Sequence, residues 1–137
     1  MIVLDTNVVS ELHGRQFADR ILSWLDGQGL ENLFLTTIAV AELRFGLELL
    51  PHGKRKDALA VFLDKVEDDD EAGSWNFRWR PHIGTASWLR TDKTRPLETK
   101  DAMIAAICLS SGATLATRNT KDCAGLDLPL INPFEEL

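Results

Sequence analysis

The chain is 137 residues long, 45% apolar and 26% charged, which is the size and composition of one globular domain able to bury a core without disulfides or a structural metal. No stretch approaches the roughly 20 apolar residues needed to span a bilayer, and Met1-Ile2-Val3-Leu4 runs into Asp5 without a basic leader or cleavage site, so a cytosolic protein without membrane contact is expected. A formal net charge of −6 argues against broad electrostatic coating of nucleic acid, yet it is compatible with an acidic cluster masked by divalent cations.

Along the chain, strand-like apolar runs alternate with helical stretches. A strand at 2–4 ends on Asp5, helical spacing covers 17–26, a second strand follows at 33–36, and a longer helix covers 38–50. That order predicts βαβ units. Pro51-His52-Gly53 then breaks the chain before another amphipathic segment at 54–66, in which Leu59, Phe62, Leu63 and Val66 recur at helical spacing, so the two helices are expected to form a hairpin. The like-charge run at 67–71 is read as a solvated loop or frayed helix end. Further on, Trp75, Phe77 and Trp79 alternate with Asn76, Arg78 and Arg80, a period of two that suits a strand with one aromatic and one basic face. The regular pattern resumes with a helix at 100–111 that Gly112 stops, a strand at 114–117, and a short strand at 130–131 before Pro133. The expected fold is α/β, a single domain with a central parallel sheet flanked by helices.

Several acidic residues fall where burial would otherwise be expected. Glu42 has Ile38, Ala39, Phe45 and Gly46 as helical neighbours, so its carboxylate sits on a face of apolar and small residues. Asp101 shares its helix face with Ile104, Ala105 and Cys108, just after Thr99 as a candidate N-cap. Asp5 follows its strand at the carboxyl end, where open parallel sheets place their ligands. Arg118, Asn119 and Asp122 follow the 114–117 strand at the corresponding edge. Each has a plainer reading: Asp101 complements a helix dipole, Asp5 ends a strand, and Glu42 pairs with Arg44, Lys100 or Arg118. Read together, four acids from four elements converge, and a divalent cation supplies the compensating charge. Oxygen ligands suit Mg²⁺ or Mn²⁺, whereas His13, His52 and His82 are isolated and Cys108 and Cys123 form no zinc motif.

Four segments resemble one known family. They are Ile2 to Glu11 (IVLDTNVVSE), Thr37 to Leu43 (TIAVAEL), Asp101 to Ala106 (DAMIAA) and Ala116 to Asp122 (ATRNTKD), and in this order and spacing they are similar to PIN-domain toxins of the VapC type, including the FitB group. The resemblance spans roughly 1–66 and 97–134 and implies a single PIN-like domain acting as the endoribonuclease toxin of a type II toxin–antitoxin pair. It further implies a homodimer, RNA as substrate, a cognate antitoxin as partner, and DNA contacted only indirectly through that antitoxin. By the same likeness Asp5, Glu42 and Asp101 match the first three catalytic acids, and Asp122 or the preceding Asn119 takes the fourth place. Asp5 and Asp101 are the most direct expected ligands of Mg²⁺, with Glu42 and Asp122 completing the shell, and Thr6 and Thr117 match supporting polar positions. A metal-activated water would then hydrolyse the phosphodiester, leaving a 5′-phosphate and a 3′-hydroxyl.

Residues 66–97 depart from the family, which usually has an aliphatic strand and an Ala-rich helix there. Arg78 and Arg80 are candidate RNA contacts beside stacking aromatics, although a core-facing edge strand accounts for the alternation as well. Arg90, Lys93, Arg95 and Lys100 either meet RNA backbone or form a solvated basic loop, and Arg118 is a further RNA candidate. Two other readings stay open. One is a catalytically impaired PIN-like module that binds antitoxin and takes part in DNA-bound autoregulation. The other is an aspartate-nucleophile phosphotransferase or phosphatase, although the second aspartate usual two residues after the first is Asn7 here.

Overall fold

The computed structural model describes residues 1–67 and 99–135. The aromatic alternation at 75–80, with Arg78 and Arg80, and Arg90, Lys93 and Arg95 lie outside the described residues, as does the acidic run beyond Glu67. Four strands, β1 (Ile2–Leu4), β2 (Leu33–Leu35), β3 (Thr114–Ala116) and β4 (Leu130–Ile131), form one sheet in the order β2-β1-β3-β4. Every pairing is parallel, with Leu4 opposite Leu35 and Ala116, and Ala116 opposite Ile131. Among the described residues five helices flank it: α1 (Thr6–Leu12), α2 (Ala18–Asp26), α3 (Thr37–Leu49), α4 (Lys54–Glu67) and α5 (Thr99–Ser111). The expected parallel α/β domain is therefore present, with element ends within a residue or so of those expected. No described helix is long and apolar enough to cross a membrane.

Strand alternation divides the core between the two faces of the sheet. Leu4, Leu33, Leu35 and Ala116 pack with Val8, Val9, Ile21, Leu43 and Leu63 of the α1–α4 side. Val3 and Leu115 pack on the other face with Ile104, Ala105 and Cys108 of α5. By the same alternation the residues after β1 and β3, Asp5 and Thr117, are in phase with Val3 and Leu115 and belong to the α5 side.

Helix α1 was not among the expected elements. It has only seven residues, and β-branched Thr6, Val8 and Val9 give it low intrinsic propensity. Tertiary packing overrides that: Val8 and Val9 are buried in the core, and the Asp5 carboxylate caps the start by accepting from the Thr6 N–H at 2.7 Å. Helix α5 ends as expected, with Gly112 at φ +63°, a left-handed conformation that side-chain-bearing residues rarely adopt.

The apolar face expected around Glu42 is buried only in part: Ala39 is buried and Ile38 half-buried, whereas Phe45 is 68% exposed, and the buried side of α3 is Ala39, Leu43 and Leu47. The apolar residues of α3 and α4 divide likewise: Phe45 and Leu49 are exposed, Leu59 is buried, and Phe62 packs on the His13 ring at 5.2 Å. If the α4 face is core, Leu63→Ala will lower unfolding free energy by about 2–5 kcal/mol in urea titrations, while Val61→Ala on the exposed face will stay within about 0.5 kcal/mol.

Candidate active site

The chain leaves β1 toward β2 on one side, and β3 leads to β4 on the other, so the order reverses between β1 and β3. A crevice opens at such a switch point, outside the carboxyl ends of the strands. The first residues past the four strands are Asp5, Thr36, Thr117 and Asn132, and these are the buried polar residues of the described core. Two of them do local work: the Thr36 hydroxyl accepts from Ala39 N–H at 3.1 Å to cap α3, and Asn132 Oδ1 accepts from Phe134 N–H at 3.1 Å. The other two meet at the switch point.

Thr117 donates its hydroxyl proton to Asp5 Oδ2 at 2.6 Å, and Asn7 Nδ2 donates to the same oxygen at 3.0 Å. The Thr117 oxygen in turn accepts from Asn7 Nδ2 at 3.3 Å and from Asn119 N–H at 3.1 Å, so its one proton and both lone pairs are used. Asn7 closes the ring by accepting from Arg118 N–H at 3.2 Å. Asp5 is therefore fixed by donors from three places, and Oδ1, which among the described residues accepts only from Thr6 N–H, keeps an acceptor site. Asn7 was quoted in the sequence motif without a role. Its two-residue spacing from Asp5 was the available signal, legible only once α1 turns the side chain back on the strand end.

Asp5, Asp101 and Asp122 line one small pocket with Thr117 and Asn119, over a floor that includes Ile104, Leu115 and Cys123. Asp101 comes from the first turn of α5, and Asp122 from a 3-10 turn, Thr120–Cys123, whose Asp122 N–H donates to the Asn119 carbonyl at 3.1 Å. Both candidates for the fourth position thus reach the pocket. Glu42 is not in its lining. It is half-buried and joins through Thr6, whose hydroxyl donates to Glu42 Oε1 at 3.3 Å. Arg44, one of the alternative partners for Glu42, pairs instead with Asp64 at 2.8 Å. Lys100 is exposed, and the Arg118 guanidinium lies over the Phe17 and Phe134 rings.

The neighbouring thiols register the field of this cluster. Burial pushes Cys123 up to about 11, with the Asp5, Asp101 and Asp122 carboxylates adding in that order, and burial pushes Cys108 up to about 12, helped by Cys123 and Asp5. Among the described residues no lysine or arginine forms an ion pair with Asp5, Glu42 or Asp122. Three convergent carboxylates, with all-oxygen donors and an open acceptor site on Asp5, fit a hard divalent cation. Among the described residues no group of three or more His, Cys, Asp or Glu side chains is already close enough to hold a metal ion, so the fit rests on the chemistry of the pocket lining, oxygen donors of the kind hard divalent cations take.

Two outcomes follow. Both thiols should react with a disulfide reagent at pH 8 about two to three orders of magnitude more slowly than free cysteine, and become reactive on unfolding. Thr117→Val, which strands the donors of Asn7 and Asn119 and removes one from Asp5, should cost about 1–3 kcal/mol in denaturant melts, with Thr117→Ser retaining most of the wild-type stability.

Comparison with known proteins agrees with this architecture. Residues 2–123 match the PIN domain. The chain is 44% identical over 138 residues to the plasmid stability protein StbB of Pseudomonas syringae pv. tomato, covering 98% of this chain and 99% of that protein. It is 37% identical to the VapC ribonuclease Y4jK of Sinorhizobium fredii (98% and 99% covered) and 35% identical to Toxin FitB of Neisseria gonorrhoeae (99% and 100% covered). Among solved structures, FitAB bound to an IR36 DNA fragment superposes with a TM-score of 0.74 at 32% identity, covering 98% of this chain and 96% of that one. With its acidic pocket at the switch point of a parallel sheet, the chain belongs to the PIN-domain family and to the VapC and FitB toxins within it.

Proposed function

We propose that the chain is a divalent-metal-dependent endoribonuclease, the toxin of a type II toxin–antitoxin pair. The observation that carries this reading is the convergence of Asp5, Asp101 and Asp122 on one pocket, without a basic partner for Asp5 or Asp122 among the described residues. Relatives named a VapC ribonuclease and Toxin FitB point the same way. Asp5 and Asp101 would hold Mg²⁺ or Mn²⁺ most directly, and Asp122 from the exposed turn would complete the set. When bound, such an ion supplies positive charge to the phosphoryl oxygens and acidity to the attacking water.

The chain's own residues supply the rest. Thr117 and Asn7 hold Asp5 Oδ2, which leaves Oδ1 as the face presented to the ion, and Glu42, oriented by Thr6, adds a carboxylate beside α1. Asn119 borders the pocket with its amide, a neutral donor suited to a phosphate oxygen. The paired antitoxin, with DNA reached only through it, is supported by the likeness to FitAB bound to DNA. The exposed Phe45 and Leu49 offer apolar surface for the homodimer.

Purified free of antitoxin, the protein should cut structured RNA in Mg²⁺ and stop in chelator. Asp5→Asn should lower cleavage at least about a hundredfold. Thr117→Val should lower it about 10–100-fold, as loss of a group that orients a metal ligand does. Undiminished cleavage by folded Asp5→Asn, or cleavage that survives chelator, would show that the acidic pocket is not the catalytic centre.

A further inference from the structure

Arg118 stands one residue past Thr117, and its backbone N–H is fixed to Asn7, in the network that holds Asp5. Its guanidinium lies 5.2 Å from the Phe17 ring centre and 4.9 Å from that of Phe134, two rings that meet edge-on at 5.5 Å. Arg20 reaches the same cluster, 6.0 Å from the Phe17 ring, but its Nη1 donates to the Phe134 carbonyl at 2.8 Å. The two arginines therefore differ. Arg20 is committed to backbone, while the Arg118 side chain is exposed and makes no hydrogen bond or ion pair among the described residues.

Contact with ring faces engages the π system of a guanidinium and leaves the N–H donors around its edge available. Holding the side chain on two rings also reduces the rotamer freedom that a ligand would otherwise have to quench. A preorganised cation thus belongs to the residue between Thr117 and Asn119, both of which line a pocket with three carboxylates, in a chain of net charge −6. RNA approaching that pocket carries the same sign as its lining, so a backbone phosphate gains most from a fixed positive group on the same loop.

We propose that Arg118 is a substrate-binding residue whose guanidinium takes a non-bridging phosphate oxygen of the RNA strand beside the scissile bond, with Phe17 and Phe134 as its platform. This rests on the reading of the chain as a ribonuclease. A purely structural role, with Arg118 tying the turn at Phe134 to α2, would affect stability without altering how binding depends on salt.

The test is the steady-state cleavage of a labelled single-stranded RNA in Mg²⁺ across a KCl series, with urea unfolding of each variant alongside. Arg118→Gln should raise KM about tenfold, more than it lowers kcat, and should reduce the slope of log KM against log salt by about 0.7, the share of one phosphate contact on a single strand. Arg118→Lys should restore the slope and recover KM only in part, because the ammonium keeps the charge without the stacked fork. Wild-type cleavage with slope and KM unchanged in Arg118→Gln would overturn this inference and leave the ribonuclease reading standing. Absence of any metal-dependent cleavage by the wild type would overturn both.

Discussion

The hydrogen bond from Thr117 to Asp5, 2.6 Å long and buried, joins the ends of the two strands between which the sheet reverses its order. Much of the rest depends on it. A carboxylate placed there without donors would be an uncompensated buried charge, and its desolvation would oppose formation of the β1–β3 edge. Thr117, Asn7 and Thr6 N–H supply those donors, and the last also starts α1. The residue that anchors the pocket is thus the residue that turns the chain from strand into helix, so the chemistry and the fold share one side chain.

Around that point the pocket gathers acidic side chains. Asp101 and Asp122 add charge of the same sign, and the thiol at Cys123 beneath them is held protonated by burial and by all three acids. Repulsion of this kind works against a compact state unless something neutralises it, and the donors around Asp5 are neutral groups that orient charge without cancelling it. On the proposed reading a divalent cation supplies the charge that Asp5 and Asp122 lack from any basic side chain among the described residues. Arg118, held on two rings in the loop between Thr117 and Asn119, offers the complementary sign to a polyanion.

Local pattern carried much of this architecture. Apolar runs of three residues, helical spacing along α3 and α4, and the Gly112 stop were each legible because they depend on nearby sequence alone. The acids were legible as anomalies: Asp5 at a strand end and Asp101 on an apolar helix face. Helix α1 was not, because its β-branched residues disfavour a helix that only long-range packing of Val8 and Val9 makes stable. The face of Glu42 was legible only in part, for a related reason. Periodicity tells which residues share a stripe, but α3 buries the Ala39, Leu43 and Leu47 stripe because the sheet and α4 lie there, and Phe45 is left outside. The bonds of Asn7 to Thr117 and Arg118, and the contact of Arg118 with Phe17, join residues more than a hundred apart, which no local spacing encodes.

The account turns on whether the carboxylates at the switch point hold a cation. The most direct measurement is a Mn²⁺ titration of the isotope-labelled wild-type protein followed by NMR, which locates a bound paramagnetic ion through the signals it broadens. The account predicts loss of signals from Asp5, Asp101, Thr117, Asn119 and Asp122 at the lowest additions, reversed by excess Mg²⁺ and absent in Asp5→Asn. Broadening centred elsewhere, or none at these residues in a folded protein, would contradict it.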